Sequence, residues 1–195
     1  MASSVVEICN AALADLGQDT IMSLTDGSRA ARLCNQRWPS VRDAVLREHT
    51  WNSCTRLAIL PASATPPAWM LDYSYPLPVD CLRVVAVSGD DGGELTRWRV
   101  MGRNLLCDEP APLNLAYVSR ELDPTVYDSS LCEVLAARLA AVLAYPLTAS
   151  ASLAQAKWAE YEALLRQARG LNAREGGREQ QAQATGTWLA AKGGA

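Results

Sequence analysis

The sequence predicts an α+β fold: an antiparallel helical bundle formed by N- and C-terminal helices, a small antiparallel β region inserted between them, and an extended C-terminal tail. Three observations lead there. Apolar residues recur at helical spacing over residues 5–51 and again over 131–168. Between these stretches, short β-branched and aromatic runs are punctuated by Pro and Gly. Beyond residue 170 the chain turns to Gln, Gly, Ala and charge. The implied division is 1–55 for the N-terminal helices, 56–120 for the β insertion, 121–170 for the C-terminal helices and 171–195 for the tail.

Ser4-Val5-Val6-Glu7 fits a capping box, in which the Ser4 hydroxyl and the Glu7 carboxylate satisfy each other's amides. Val5, Ile8, Cys9, Ala12, Leu13 and Leu16 follow at helical spacing, and Gly17 supplies a left-handed stop. Thr25-Asp26-Gly27-Ser28 starts a second helix, with Cys34, Trp38, Val41 and Val45 on one face and Arg29, Arg32, Arg42, Asp43 and Arg47 off it. Pro39 lacks an amide hydrogen, so a kink near Asn35 or a split into two helices is expected.

After Trp51 the texture changes. Residues 56–60 read as a strand, 61–67 as a Pro-, Ala- and Ser-rich loop, and 73–78 as an extended edge segment whose prolines cannot donate to a ladder. Residues 82–87 form the clearest strand, turned by Gly89-Asp90-Asp91-Gly92-Gly93, with 94–101 returning as its partner. Strands at 104–107 and 113–118 complete one small antiparallel sheet.

Helical texture resumes near Asp128-Ser129-Ser130. Leu131, Leu135, Leu139 and Val142 make a stripe that Pro146 ends or bends. A last helix places Trp158, Tyr161, Leu165 and Ala168 on one face and stops at Gly170. The tail has too few apolar residues to offset the entropy of ordering itself, yet it carries Trp188-Leu189. That pair suits an anchor docking in another subunit, each side chain contributing on the order of 2 to 3 kcal/mol if fully buried. Extended, residues 171–195 reach roughly 80 Å.

Composition excludes several function classes. A formal charge of -3 argues against gripping nucleic acid by neutralising many phosphates, though not against a surface past which DNA slides. The six cysteines each stand at least 20 residues from the next, so no C-x-x-C pair starts a metal or redox site, and they read as reduced core residues. No window reaches the ~20 apolar residues of a membrane span, and the N-terminus lacks a basic region followed by an apolar run, so synthesis in a cytoplasm without a membrane partner is expected.

Catalytic patterns are absent as well. His49 is the single histidine and reads as a helix C-terminal residue, with Glu48 about 100° away around the helix. Asp90-Asp91 and Asp108-Glu109 read as acids at hairpin and loop tips, and Gly89, Gly92 and Gly93 do not spell a dinucleotide fingerprint. No enzyme activity, cofactor or metal is expected. Arg97-Trp98-Arg99 interleaves an aromatic with arginines, which allows an alternative reading as a nucleic-acid-binding module. On a strand, Trp98 and Val100 face one way and the two arginines the other, so a half-buried strand with a solvated basic face is the better account.

Taken in order, Ile8 through Gly17, Ile21-Met22-Ser23-Leu24, Cys34, Trp38 through Arg47, Trp51-Asn52, Tyr75-Pro76-Leu77-Pro78-Val79-Asp80-Cys81-Leu82-Arg83-Val84, Leu135 through Ala140, Pro146-Leu147-Thr148 and Ala173-Arg174-Glu175 resemble the tail tubular protein A family. These are the head-to-tail adaptors of short-tailed bacteriophages, with relatives in long-tailed phages and phage-like particles. The likeness spans nearly the whole chain and rests on order and spacing. Thr50, where a Pro often stands, and Asn52-Ser53-Cys54, where an aromatic is usual, depart from the pattern.

The resemblance implies a non-enzymatic homo-oligomeric ring, a dodecamer of about twelve copies, at the head-to-tail junction of a virion. It binds the portal protein above and a tail nozzle or next tail protein below, and genomic DNA passes through its lumen without sequence-specific binding. In this reading the C-terminal tail clasps the portal, and Leu171, Arg174, Trp188 and Leu189 are the candidate portal-binding residues.

Overall fold

In the structure, a computed structural model that describes residues 4–175, Ser4 and Glu7 cap the first helix as expected. Helix α1 (Val5–Ala14) begins with Glu7 N–H donating to Ser4 Oγ at 3.1 Å and Ser4 N–H donating to Glu7 Oε2 at 2.8 Å. Gly17, at φ +65°, turns the chain after it, with Gly17 N–H bonded to Ala14 O and Gln18 N–H to Leu13 O. The returning segment is clamped by Asn10, whose Nδ2 donates to Ile21 O at 3.0 Å and whose Oδ1 accepts from Ile21 N–H at 2.8 Å. One side chain thereby satisfies both backbone groups of a residue that α1 must hold against its flank.

Helix α2 (Arg29–Glu48), capped by Ser28, runs unbroken through Pro39. Ala31, Cys34, Trp38, Val41 and Val45 are buried along its inner face. A 3-10 turn, Asn52–Cys54, then leads into six strands: β1 (Thr55–Leu60), β2 (Tyr73–Pro76), β3 (Cys81–Ser88), β4 (Trp98–Met101), β5 (Asn104–Cys107) and β6 (Leu113–Ser119). Helices α3 (Ser129–Thr148) and α4 (Ala151–Glu175) follow. The α+β class is as predicted.

The strand pairing differs from the expected single sheet. Two three-stranded antiparallel sheets form, in the orders β1-β6-β3 and β2-β5-β4. Residues 94–101 are not the partner strand of 82–87: only a Ser88–Glu94 bridge joins them, and β4 pairs with β5 instead. The reason lies in turn length. Gly102 at φ +61° allows a two-residue connection from Met101 to Asn104, which brings those neighbours together more directly than the loop 89–97 can. The segment at 73–78 is an edge strand as its prolines require.

Two apolar clusters result. Residues of all four helices join Trp51, Cys54 and Val118 in the larger one. Tyr75, Leu105, Cys107, Leu113, Leu115 and Tyr117 belong to the smaller one, within the strand region. Strand β6 reaches both, through Val118 and through Leu115 and Tyr117. Five cysteines are buried and Cys132 is partly so. Contact with Cys34, together with burial, pushes the Cys9 thiol well above its ordinary range and keeps it protonated.

Two further expectations need correction. The last helix does not stop at Gly170 but continues to Glu175, so Leu171 and Arg174 are helical residues and not part of an extended tail. The side chain of Asn172 fastens that final turn and outweighs the helix cost of the glycine. Helix α3 is also long and apolar enough to cross a membrane by length and composition, with mean hydropathy 1.5. Here it lies against α1, α2 and α4, with Leu131, Leu135, Leu139 and Leu143 buried in the larger cluster.

Candidate functional site

Three helices meet at a polar knot. Arg138 of α3 donates through Nη1 to Glu48 Oε1 at 2.7 Å and to Tyr161 Oη at 2.8 Å, while Tyr161 Oη donates to Glu48 Oε2. The guanidinium also lies 5.4 Å from the Trp158 ring centroid and 5.0 Å from that of Tyr161. Burial, then the bond to Glu48, pushes the Tyr161 phenol up to about 12. Carboxylate, phenol and guanidinium bind one another, so the knot ties α2, α3 and α4 together and leaves no group poised as an acid or base.

A second polar cluster joins α4 to the entrance of β1. Asn172 Oδ1 accepts from Asn52 N–H at 3.0 Å, and Asn172 Nδ2 donates to Thr50 O at 2.9 Å. Asn52 Nδ2 in turn donates to Asn172 O at 3.0 Å. The same Nδ2 of Asn172 lies 3.0 Å from His49 Nε2, which therefore accepts, placing the imidazole proton on Nδ1. His49 caps the end of α2 as expected and stacks edge-on against Trp51 at 4.9 Å. Burial first, and then the charges of Arg169 and Arg83, lower its pKa and favour the neutral ring.

The strand region carries an exposed apolar face. Leu57 and Ile59 on β1 are 83% and 71% exposed, on the side opposite Leu60. Register sets Leu57 beside Ala116, which pairs with Ala86, and sets Ile59 beside Asn114, which pairs with Ser88. Small side chains on β6 and β3 thus leave a shallow depression of about 540 Å³ next to two large ones. A second groove, of about 380 Å³, lies between α1, α3 and α4, with Ile8, Ala136 and Leu164 as floor and Glu7, Asp15 and Glu133 at its rim.

The basic strand motif is placed as follows. Trp98 is half-buried against the smaller apolar cluster, and Arg97 binds Asp108 at 2.7 Å on the exposed side. Arg99 reaches Met70 Sδ at 3.6 Å. Val100, expected to share Trp98's shelter, is 41% exposed because β4 is an edge strand. Of the residues assigned to portal binding, Leu171 is exposed on the penultimate turn of α4 and Arg174 on its last. Trp188 and Leu189 lie outside the described residues. Among the described residues no group of three or more His, Cys, Asp or Glu is close enough to hold a metal ion.

Asn172, the Glu48–Arg138–Tyr161 knot and the open face of β1 were all missed by sequence reasoning. Only the last left a signal: Leu57-Ala58-Ile59-Leu60 is apolar at consecutive positions, the pattern of a strand covered on both faces. No protein-family model matches the sequence, and no curated protein matches it.

Proposed function

We propose that this chain is a structural head-to-tail adaptor of a tailed bacteriophage, a ring of about twelve copies that joins the portal to the tail nozzle or next tail protein and passes genomic DNA through its lumen. In this reading the four helices form the bundle of the ring wall, the strand region projects from it, and the C-terminal tail with Trp188 and Leu189 clasps the portal. The observation that supports it is the apolar surface left on a lone subunit. Met22 is 90% exposed, Val79 89%, Leu57 83% and Trp69 75%. Large side chains left bare in several places suit a subunit that meets several partners. The ordered resemblance of its segments to the adaptor family supplies the identity of those partners.

Removal of residues 176–195 tests the portal contact. The cut belongs after Glu175, because Asn172 fastens α4 to residues 50–52. The truncated chain is expected to keep its helical circular dichroism and to lose attachment to portal-containing heads, as scored by electron microscopy of the particles. Normal attachment of the truncated chain would refute the tail contact. Salt-sensitive DNA binding by the full chain, lost in an Arg97→Ala/Arg99→Ala variant, would instead support the nucleic-acid-binding reading.

A further inference from the structure

A cavity of about 330 Å³ opens where the start of β3 meets the β4-β5 hairpin and the end of α2, lined by Arg47, Arg83 and Arg103 together with Trp98, Val84 and Val100. The three arginines come from α2, from β3 and from the turn between β4 and β5. Each is held by neutral oxygen alone. Arg47 donates to Leu82 O, Arg103 donates to Pro78 O and, at 3.1 Å, to Cys81 O, and Arg83 donates through Nη2 to Thr50 Oγ1 at 2.7 Å. None of the three forms an ion pair among the described residues, and Nε of Arg83 is buried without a hydrogen-bond partner.

The acids adjacent in sequence are engaged elsewhere. Glu48 is bound by Arg138 and Tyr161, and Asp80 accepts from Tyr117 Oη at 3.3 Å and lies 3.9 Å from Arg56. A fourth cation, Arg169, stands close by and donates to Glu48 O at 3.1 Å. Burial first, and then the charges of Arg47 and Arg169, hold the Arg83 guanidinium below its ordinary value. Elsewhere on the strand region the arginines face carboxylates, as Arg56 faces Glu121 and Arg97 faces Asp108. Like charges gathered around a cavity without a counter-charge repel one another and favour an anion from outside.

We propose that this cavity binds a small phosphate monoester, its phosphate among Arg47, Arg83 and Arg103 and its apolar body along Trp98, Val84 and Val100. Guanidinium groups match phosphate oxygens through paired, charge-assisted hydrogen bonds. A monoester carries about two negative charges at neutral pH and so answers three unpaired cations better than a carboxylate or a phosphodiester, each with a single charge. The volume lies at the lower end of the range of about 300 to 1,000 Å³ usual for small-molecule sites, which fits a compact ligand and not a groove that tracks a strand. The site is complete in one subunit, needs no ring, and stands apart from Arg97 and Arg99, which do not line it.

Arginine modification of the full chain by phenylglyoxal, mapped by peptide mass spectrometry at constant ionic strength, tests this with phenyl phosphate as the ligand. Modification of Arg47 and Arg103 is expected to slow about ten-fold when phenyl phosphate stands at about ten times its Kd, while the exposed Arg99 reacts as before. No slowing, or equal slowing at Arg99, would overturn the proposal. Equal protection by benzoate, which has the same ring and a single charge, would overturn it in favour of a carboxylate site. Protection by a 5′-hydroxyl oligothymidylate but not by phenyl phosphate would overturn it in favour of a nucleic-acid strand. In titration calorimetry, Arg47→Gln/Arg103→Gln is expected to weaken phenyl phosphate binding about ten-fold or more and Arg99→Gln to leave it unchanged. Undiminished binding by the folded double variant would also overturn the site. Both arginines hold carbonyls of β3 or its approach, so if the double variant does not fold, the protection measured on the unaltered chain decides.

Discussion

Asn172 is a buried polar side chain on which three other groups depend. It is 5% exposed and satisfies Asn52 N–H, Thr50 O and His49 Nε2 at once. Asn172→Ala strips partners from three groups and is expected to cost about 2 kcal/mol in urea unfolding. Its contact also makes His49 a pH sensor. The amide of Asn172 donates to Nε2, so a protonated imidazole would set one donor against another. Burial and the nearby Arg169 and Arg83 act in the same direction and lower the folded pKa. The unfolded chain therefore takes up the proton first, at its ordinary value of about 6.5. Stability from this site is held above that pH and is lost as pH falls through the lowered folded value. The urea midpoint is expected to drop between pH 7.5 and 5.5, and His49→Gln should flatten that part of the slope. Asn172→Asp, which places a carboxylate against the ring, should reverse its sign; an unchanged slope in both variants would remove His49 as the cause.

At the scale of elements, caps were legible in the sequence and pairings were not. Ser4, Glu7, Gly17, Ser28 and Asp128 all act where their chemistry predicts, because a cap depends on residues within a few positions of one another. The two sheets depend on which distant strands meet β6, and no local pattern distinguishes β3 beside β6 from β3 beside β4. The acceptor of the last helix was hidden for the same reason: Gly170 looked like a stop because its compensation, Asn172 on residues 50–52, lies about 120 positions away in sequence. The error yields a direct expectation. Gly170 sits inside α4 with nothing within 4 Å of an added Cβ, so Gly170→Ala should raise stability by about 1 kcal/mol. Ala149 is the converse case, a left-handed cap at φ +55° that carries a Cβ, and Ala149→Gly should also stabilise, by about 0.5 to 1 kcal/mol. Thermal unfolding of the two variants checks both signs; a destabilised Gly170→Ala would mean that the last turns of α4 are not helical in solution.

Across the whole molecule, the two clusters set how the chain yields. The strand cluster has its own fully buried residues, Tyr75, Leu105, Cys107 and Leu113, and it meets the helices through few polar ties. Ser119 Oγ donates to Cys54 O at 3.0 Å, Arg83 donates to Thr50 Oγ1 at 2.7 Å, and Arg47 donates to Leu82 O. Strand β6 adds an apolar link, since Val118 lies in the helical cluster while Leu115 and Tyr117 lie in the other. Sheet β2-β5-β4 contributes nothing to the helical cluster, so it stands at the end of this chain of contacts. Leu105→Ala opens a cavity at its centre and is expected to cost 2 to 5 kcal/mol locally. Amides of β2, β4 and β5 should then exchange faster by an order of magnitude or more, while those of α3 keep their protection. Such an outcome makes the outer sheet a unit that opens while the helices hold. Equal acceleration in α3 would show that β3 and β6 couple the clusters into one cooperative block.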